Sequence, residues 1–225
     1  MSSAQNTSEV LILLGAPGCG KGTVCPKLVS DFKMVHLSTG DMLRESVAAG
    51  NETLKQIMAS GALVSDEIVI GLIMDKLKNR GDAKGFILDG FPRNVTQAKA
   101  LDVMLAANGE RVTRVIELNV PDEVLEERIC GRWIHQASGR SYHVKFNPPK
   151  SMSQEGSPML DDQTGEPLMQ RADDNATALK KRLATYHEQT VPILSHYKPA
   201  GIVTQVNADQ SIDAVWRDVR AAMLA

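Results

Sequence analysis

The chain has few cysteines, few aromatic residues and no excess of either charge. Its three cysteines, at positions 19, 25 and 130, include no C-x-x-C pair, and their odd number argues against a disulfide framework and favours a reducing compartment. The longest apolar run covers only residues 10–14, too short to span a bilayer, and the N-terminus lacks a signal-peptide pattern. The formal net charge of -2 does not indicate nucleic acid. We therefore expect a cytoplasmic protein with no membrane or nucleic-acid partner.

What the chain does have is a regular alternation of apolar runs and helical patterns along its 225 residues. Short apolar runs typical of buried strands occur at 10–14, 34–37, 86–88, 112–120 and 202–206. Helical patterns occur at 21–32, 67–80, 122–130, 176–194 and 211–224. Strands that alternate with helices need crossover connections. The pattern therefore predicts an α/β fold in which helices flank both faces of a parallel sheet.

Two segments interrupt this alternation. Residues 38–67 form a mainly helical insert, and residues 131–168 are rich in Pro, Gly, Ser and polar groups. A long irregular segment is usually a lid or a disordered loop, and the apolar residues in the second segment favour a small folded lid. We expect a core built from residues 1–37, 68–130 and 169–225, with an insert at 38–67 and a lid at 131–168.

A glycine-rich loop follows the first predicted strand and precedes the first predicted helix. Its sequence, GAPGCGKGT at 15–23, has the context of a phosphate-binding loop, in which backbone amides and a helix N-terminus surround an anion. Lys21 could then reach the transferred phosphate. The usual Ser/Thr after the lysine is replaced by Gly22, and the hydroxyl comes one residue later at Thr23. This shift leaves open whether Thr23 coordinates magnesium.

Three further segments carry a family resemblance: STGDMLR at 38–44, DGFPR at 89–93 and GRSYHVKFNPPK at 139–150. Together with the loop at 15–23 they resemble the nucleoside monophosphate kinases, and the third is similar to the lid of long-form adenylate kinases. The resemblance covers residues 10 to about 210. It implies a P-loop fold, an AMP-binding insert at 38–67, a lid over ATP, and a monomer that transfers phosphoryl groups from MgATP to AMP.

The resemblance also implies a role for individual residues. Thr39 and Gln97 match the adenine-recognising pattern, and the Gln97 amide offers both a donor and an acceptor. The implied AMP-binding set is Thr39, Arg44, Ala62, Leu63, Val64, Gly90, Phe91, Pro92, Arg93, Gln97, Arg171 and Arg182. The implied ATP-binding set is Gly18, Cys19, Gly20, Lys21, Gly22, Thr23, Arg128, Arg132, Ser141, Tyr142 and Gln210. The implied catalytic set is Lys21, Arg93, Arg132, Arg171 and Arg182.

The expected chemistry needs no general base. The acceptor is a phosphate oxygen that is already largely ionised, since the second phosphate pKa is about 6. Arginines would instead spread positive charge over the phosphoryl group in transfer. Arg128 and Arg132 are four residues apart and would share one helix face if that helix continued so far. Arg171 and Arg182 are eleven residues apart, close to three helical turns.

The remaining expectations concern metals and the nucleotide donor. Asp89 would organise water around Mg²⁺, the cofactor bound with ATP. The lid has no cysteine, so we expect no zinc. Some members of the family that this chain resembles hold zinc in the lid through four cysteines. The resemblance implies that the polar residues at the corresponding positions form a hydrogen-bonded substitute: His135, Ser138, Asp161 and Thr164. Two alternatives stay open at this point, a GTP-dependent AMP kinase and a P-loop factor that binds nucleotide without turnover.

Overall fold

The computed structural model describes residues 8–59, 64–78, 83–153 and 157–225. Its strands, in chain order, are β1 (Glu9–Leu14), β2 (Val35–Ser38), β3 (Gly85–Asp89), β4 (Arg114–Asn119), β5 (Arg132–Ile134), β6 (Ser141–His143) and β7 (Val203–Asn207). Five of them form one sheet in the order β2-β3-β1-β4-β7, and every pair in it is parallel. This arrangement confirms the predicted α/β class.

Helices cover both faces of this sheet. They are α1 (Lys21–Phe32), α2 (Thr39–Ala48), α3 (Glu52–Ala59), α4 (Asp66–Lys78), α5 (Val95–Ala107), α6 (Asp122–Cys130), α7 (Ala176–Thr185), α8 (Pro192–Tyr197) and α9 (Ile212–Leu224). Among the residues that the structure describes, no helix has the length and apolar character needed to cross a membrane.

Two of these helices differ from the sequence-based prediction. Helix α5 was not predicted at all. The segment 176–194 is helical as predicted, but it is not one regular α-helix, because α7 ends at Thr185 and a π-helical turn follows at Tyr186–Thr190. Pro192 then opens α8 at a position where its missing N–H breaks no hydrogen bond.

The core lies on both sides of the sheet. Along β1, Leu11 and Leu13 belong to one apolar cluster, while Val10, Ile12 and Leu14 belong to the other. All five side chains are buried, as expected for a central parallel strand that is covered on both faces.

The register of the sheet brings three strand ends together. Asp89, the last residue of β3, pairs with Leu13 of β1 and with Ser38 of β2. The glycine-rich loop, the start of α2 and the segment after β3 therefore meet at the carboxyl edge of the sheet. Open α/β sheets bind their ligands at this edge.

The lid region has a small sheet of its own. Strands β5 and β6 pair in antiparallel fashion, and isolated bridges join Ile134 to Met169 and Leu160 to Pro167. The helices α2, α3 and the start of α4 lie in the other predicted insert. The division into a core and two moving parts stays a prediction.

Candidate functional site

The glycine-rich loop turns tightly between β1 and α1. Gly15, Gly18 and Gly20 have φ values of 152°, 87° and 107°, in the region that favours glycine. A Cβ on Gly15 would lie only 2.8 Å from the carbonyl oxygen of Leu118. Helix α1 begins directly after Gly20 with no side-chain cap on its first amides. These N–H groups and the helix dipole can therefore bind an anion.

Lys21 lies inside this loop. Its Nζ donates to the carbonyl oxygen of Gly15 at 2.7 Å and lies 3.5 Å from Cys19 Sγ. The loop borders a cavity of about 1280 Å³, whose lining includes Gly18, Cys19, Gly20, Lys21, Gly22 and Thr23. Every loop residue predicted to bind ATP thus faces one cavity.

Six arginines from different parts of the fold surround the same cavity. They are Arg44, Arg93, Arg128, Arg132, Arg171 and Arg182. Arg128 and Arg132 would have shared a helix face only if the helix continued to Arg132, and it does not, because α6 ends at Cys130 and Arg132 begins β5. Arg171 likewise precedes α7 rather than lying on it with Arg182. Tertiary structure, not helical spacing, brings these residues together.

Acidic residues hold several of the arginines in place. Arg132 Nε donates to Asp174 Oδ2 at 2.9 Å, and its Nη2 bonds the other oxygen of that fully buried carboxylate. Asp41 pairs with Arg44 and lies 3.6 Å from Arg171. The role of Asp41 was not predicted, although its position three residues before Arg44 on a helix was a usable signal.

Positive charge in the cavity is only partly balanced. Among the described residues Arg93 has no ion-pair partner, and its Nε donates to the carbonyl oxygen of Gly90 at 2.9 Å. Burial and the nearby charge of Arg182 lower the pKa of Arg93. Burial, together with Arg44 and Arg132, lowers the pKa of Arg171 to about 10. Both shifts mean that the folded protein disfavours these charges unless an anion joins them.

Arg182 shows the same shortage of acceptors. Its Nη1 lies 2.8 Å from Asp173 Oδ2 without hydrogen-bond alignment, and this buried nitrogen has no hydrogen-bond partner among the described residues. Burial lowers the pKa of Arg182, although Asp173 opposes the shift. A buried guanidinium nitrogen in this condition is suited to an incoming oxyanion.

Asp89 is the carboxylate best placed to serve a metal ion. Burial opposes its ionisation, but the hydrogen bond with His36 at 3.2 Å and the charge of Lys21 lower its pKa overall. Ligand atoms of Cys25, His36 and Asp89 all lie within 4.8 Å of one another. Burial and the Asp89 charge raise the pKa of the Cys25 thiol well above its usual value. Because Mg²⁺ prefers oxygen ligands, Asp89 alone of the three suits it.

The predicted AMP-binding residues fall into three groups. Val64, Gly90 and Pro92 line the cavity with the arginines, whereas Thr39, Phe91 and Gln97 are fully buried and lie outside its lining. The Thr39 hydroxyl donates to the carbonyl oxygen of Gly90 at 2.9 Å. Ala62 and Leu63 lie outside the described residues.

The lid contributes Ser141 and Tyr142 to the cavity lining. The Tyr142 hydroxyl donates to Asp161 Oδ1 at 2.9 Å and accepts the N–H of Asp162. Its hydroxyl is therefore engaged within the lid. Gln210 also lines the cavity, and its Nε2 donates to the carbonyl oxygen of Asn207 at 2.8 Å and to Asp218.

The four predicted polar residues of the lid form a connected network. Ser138 Oγ lies 2.7 Å from His135 Nδ1, and the Thr164 hydroxyl donates to Asp161 Oδ2 at 3.0 Å. Two members were missed. Arg140 donates to both Asp161 oxygens at 2.8 and 2.7 Å, and Glu166 lies 2.6 Å from His135 Nε2. The Arg140 guanidinium holds the pKa of Asp161 well below its usual range, although burial opposes this. A buried carboxylate needs a cation, which was the available signal for Arg140.

Comparison with known proteins is consistent with this geometry. The model of the family described as adenylate kinase matches residues 13–202. An adenylate kinase of Malassezia globosa is 52% identical over 222 residues, covering 96% of this chain and 84% of the relative. One of Vanderwaltozyma polyspora is 52% identical over 221 residues, covering 96% of each. Adenylate kinase 3 of Oryza sativa subsp. japonica is 47% identical over 226 residues, covering 99% of this chain and 91% of the relative.

Proposed function

The chain belongs to the adenylate kinase family, and from that premise we propose how its residues transfer a phosphoryl group reversibly from MgATP to AMP to give two ADP. The observation that carries the proposal is the meeting of six arginines and a phosphate-binding loop around one cavity. Two polyanions must be brought together for this reaction. A cavity with unbalanced positive charge is suited to that task.

The loop at 15–23 binds the phosphates of ATP. Its backbone amides and the N-terminus of α1 surround the anion, and Lys21 exchanges its bond to the Gly15 carbonyl for a phosphate oxygen. Arg128 Nη1 donates to the carbonyl oxygen of Ala208 at 3.0 Å, which ties α6 to the segment 207–210. That segment, with Gln210, would contact the adenine of ATP.

The opposite end of the cavity binds AMP. Arg44 and Arg93 hold its phosphate with bidentate bonds, because their planar guanidinium groups match the spacing of phosphate oxygens. Thr39 and Gln97 read its base. Both are fully buried, so AMP binding must expose them or bring the base to them.

Arg132, Arg171 and Arg182 act on the phosphoryl group during transfer. Their charges converge from β5, from the segment before α7 and from α7 itself. Spreading positive charge over the equatorial oxygens lowers the barrier without proton abstraction by the protein. Closure of the insert and the lid would exclude water, which protects ATP from hydrolysis.

Mg²⁺ is the cofactor that this arrangement would use. Asp89 would hold it through water molecules, and the ion would neutralise charge on the bridging phosphates when bound. The lowered pKa of Asp89 keeps its carboxylate available at neutral pH. No zinc is needed in the lid, because hydrogen bonds to Asp161 fill that role.

A coupled assay for ADP tests the proposal. Purified protein with Mg²⁺, ATP and AMP should form ADP, and replacing AMP by UMP or CMP should lower the rate strongly. Replacing ATP by GTP tests the preferred donor. Absence of ADP above background with both ATP and GTP would leave only the binding-factor alternative, which the family relationship does not favour.

We further propose that the protein works as a monomer in the cytoplasm. All three cysteines are free, which is consistent with a reducing compartment. Light scattering coupled to gel filtration should give a mass near the 24.4 kDa of one chain. A mass of twice that value would contradict the monomer.

A further inference from the structure

The side-chain amide of Gln97 is held by two partners from different elements. Its Oε1 accepts the backbone N–H of Arg93 at 2.7 Å. Its Nε2 donates to Oδ1 of Asp66 at 2.6 Å, and Asp66 is the first residue of α4. Both bonds are short, and the Gln97 side chain is buried.

These partners determine which way round the amide lies. A backbone N–H can only donate, and a carboxylate can only accept. Rotating the amide by half a turn would place its NH₂ against the Arg93 N–H and its oxygen against the Asp66 carboxylate. Both contacts would then be mispaired in a buried site, so the observed orientation is strongly preferred.

Asp66 is itself anchored. Asn94 Nδ2 lies 3.4 Å from the same carboxylate oxygen, and Asn94 Oδ1 accepts the backbone N–H of Gln97 at 2.8 Å as the N-cap of α5. The starts of α4 and α5 are therefore joined through Asp66, Asn94 and Gln97. This link fixes the distance from Asp66 to the amide.

The orientation decides what the amide presents to a base. With Arg93 and Asp66 in place, and counting only contacts of the described residues, Oε1 keeps one acceptor position and Nε2 keeps one N–H. Adenine offers the complementary pair, a donor at its N6 amine and an acceptor at N1. Hypoxanthine and guanine offer the reverse, an acceptor at O6 and a donor at N1–H.

We propose that Asp66 is a positioning residue for nucleotide selectivity. Its carboxylate holds the Gln97 amide in the orientation that accepts a 6-aminopurine and rejects a 6-oxopurine. This inference rests on the proposed role of Gln97 as reader of the AMP base. Asp66 acts through Gln97 and need not touch the nucleotide.

The test is Asp66→Asn, which keeps the shape of the side chain but can both donate and accept. In this variant the flipped Gln97 amide would make one mispaired contact, with the backbone N–H of Arg93, instead of two. IMP differs from AMP only at position 6 and the adjacent N1. We expect the ratio of kcat/KM for IMP to that for AMP, measured with saturating MgATP, to rise about tenfold.

Glu67→Gln is the matched control. It removes the same charge from the same first turn of α4, and Glu67 is exposed. This variant should keep the wild-type ratio. An equal ratio for Asp66→Asn and wild type would overturn the proposal, and an equal rise in both variants would assign the effect to charge alone.

Gln97→Ala distinguishes two ways in which the proposal could fail: Asp66 does not orient Gln97, or Gln97 does not recognise the AMP base. If this variant keeps the wild-type ratio, Gln97 does not read the base and the proposed function is wrong at that residue. If Gln97→Ala loses selectivity while Asp66→Asn does not, Gln97 recognises the base but Asp66 does not determine its orientation. In the Gln97→Ala background, Asp66→Asn should no longer change the ratio, whereas a general structural effect of Asp66 would persist.

Discussion

Replacing Arg93 by methionine should separate catalysis from stability. Arg93 is a buried cation next to Arg182 with no ion-pair partner among the described residues. Methionine is unbranched and flexible, so it can follow the path of the arginine stem. The variant therefore removes the charge with little change in packing.

Two effects on stability should nearly cancel. The variant loses the hydrogen bond from Nε to the Gly90 carbonyl, which contributes about 1 kcal/mol. It also removes a charge that folding disfavours, because burial and Arg182 lower the Arg93 pKa. A base whose pKa falls on folding destabilises the fold while it is charged, so removing it is favourable. We expect the free energy of unfolding to change by less than about 1 kcal/mol.

The rate should respond very differently. Arg93 holds the AMP phosphate, whose oxygen attacks the transferred phosphoryl group, and an arginine that stabilises the charge at such a transfer contributes about 10³-fold or more. Arg93→Met should therefore lower kcat/KM for AMP by about 10³-fold or more, as measured by ADP formation. Urea unfolding of the same preparation measures stability.

Arg140→Met provides the contrast. Arg140 also donates through its Nε, but its Nε and Nη2 bond the two oxygens of the buried Asp161 carboxylate, and Nη2 also lies 3.4 Å from His135 Nδ1. Its loss should destabilise the lid, and the AMP-binding arginines stay intact. A catalytic rather than structural role of Arg93 is refuted if Arg93→Met keeps activity within tenfold of wild type, or if it destabilises the protein by more than about 3 kcal/mol, as expected for a structural buried pair.

Three further predictions follow from the same geometry. Asp89→Asn should raise the Mg²⁺ concentration for half-maximal activity about tenfold, and chelation of Mg²⁺ should abolish ADP formation; an unchanged Mg²⁺ dependence would argue against Asp89. Arg132→Lys loses the two-bond pairing with Asp174 and should lower kcat about 100-fold, whereas wild-type kcat would show that a simple charge is enough. The folded-state pKa of Asp161 is lowered, so its contribution to stability is present above its unfolded pKa of about 4 and is lost as pH falls further; the stability difference between wild type and Asp161→Asn, from urea unfolding, should shrink from pH 6 to pH 3.

The central features of the fold were predictable because their signals are local. The run at 10–14 and the glycines after it encode a buried strand and a tight turn within a dozen residues. Helix α5 was missed for a physical reason. Its buried positions include Gln97 and Ala98 beside Leu101 and Leu105, so a polar and a small residue interrupt the apolar stripe.

The candidate site was predictable in its residues but not in its geometry. Arg132 could be identified as a site residue, yet its place on β5 depends on where α6 ends. The hydrogen-bond partners of Gln97 could not be predicted from the sequence either. Asp66 is 31 positions away, and no local pattern links a helix start to a distant amide.

Phosphoryl transfer from MgATP to AMP is tested most directly by ³¹P NMR, which follows every phosphorus-containing species after purified protein is mixed with Mg²⁺, ATP and AMP. We expect two ADP for each AMP consumed, with little inorganic phosphate, because the arginines act on a phosphoryl group shielded from water. Release of inorganic phosphate from ATP while AMP stays unchanged would contradict it.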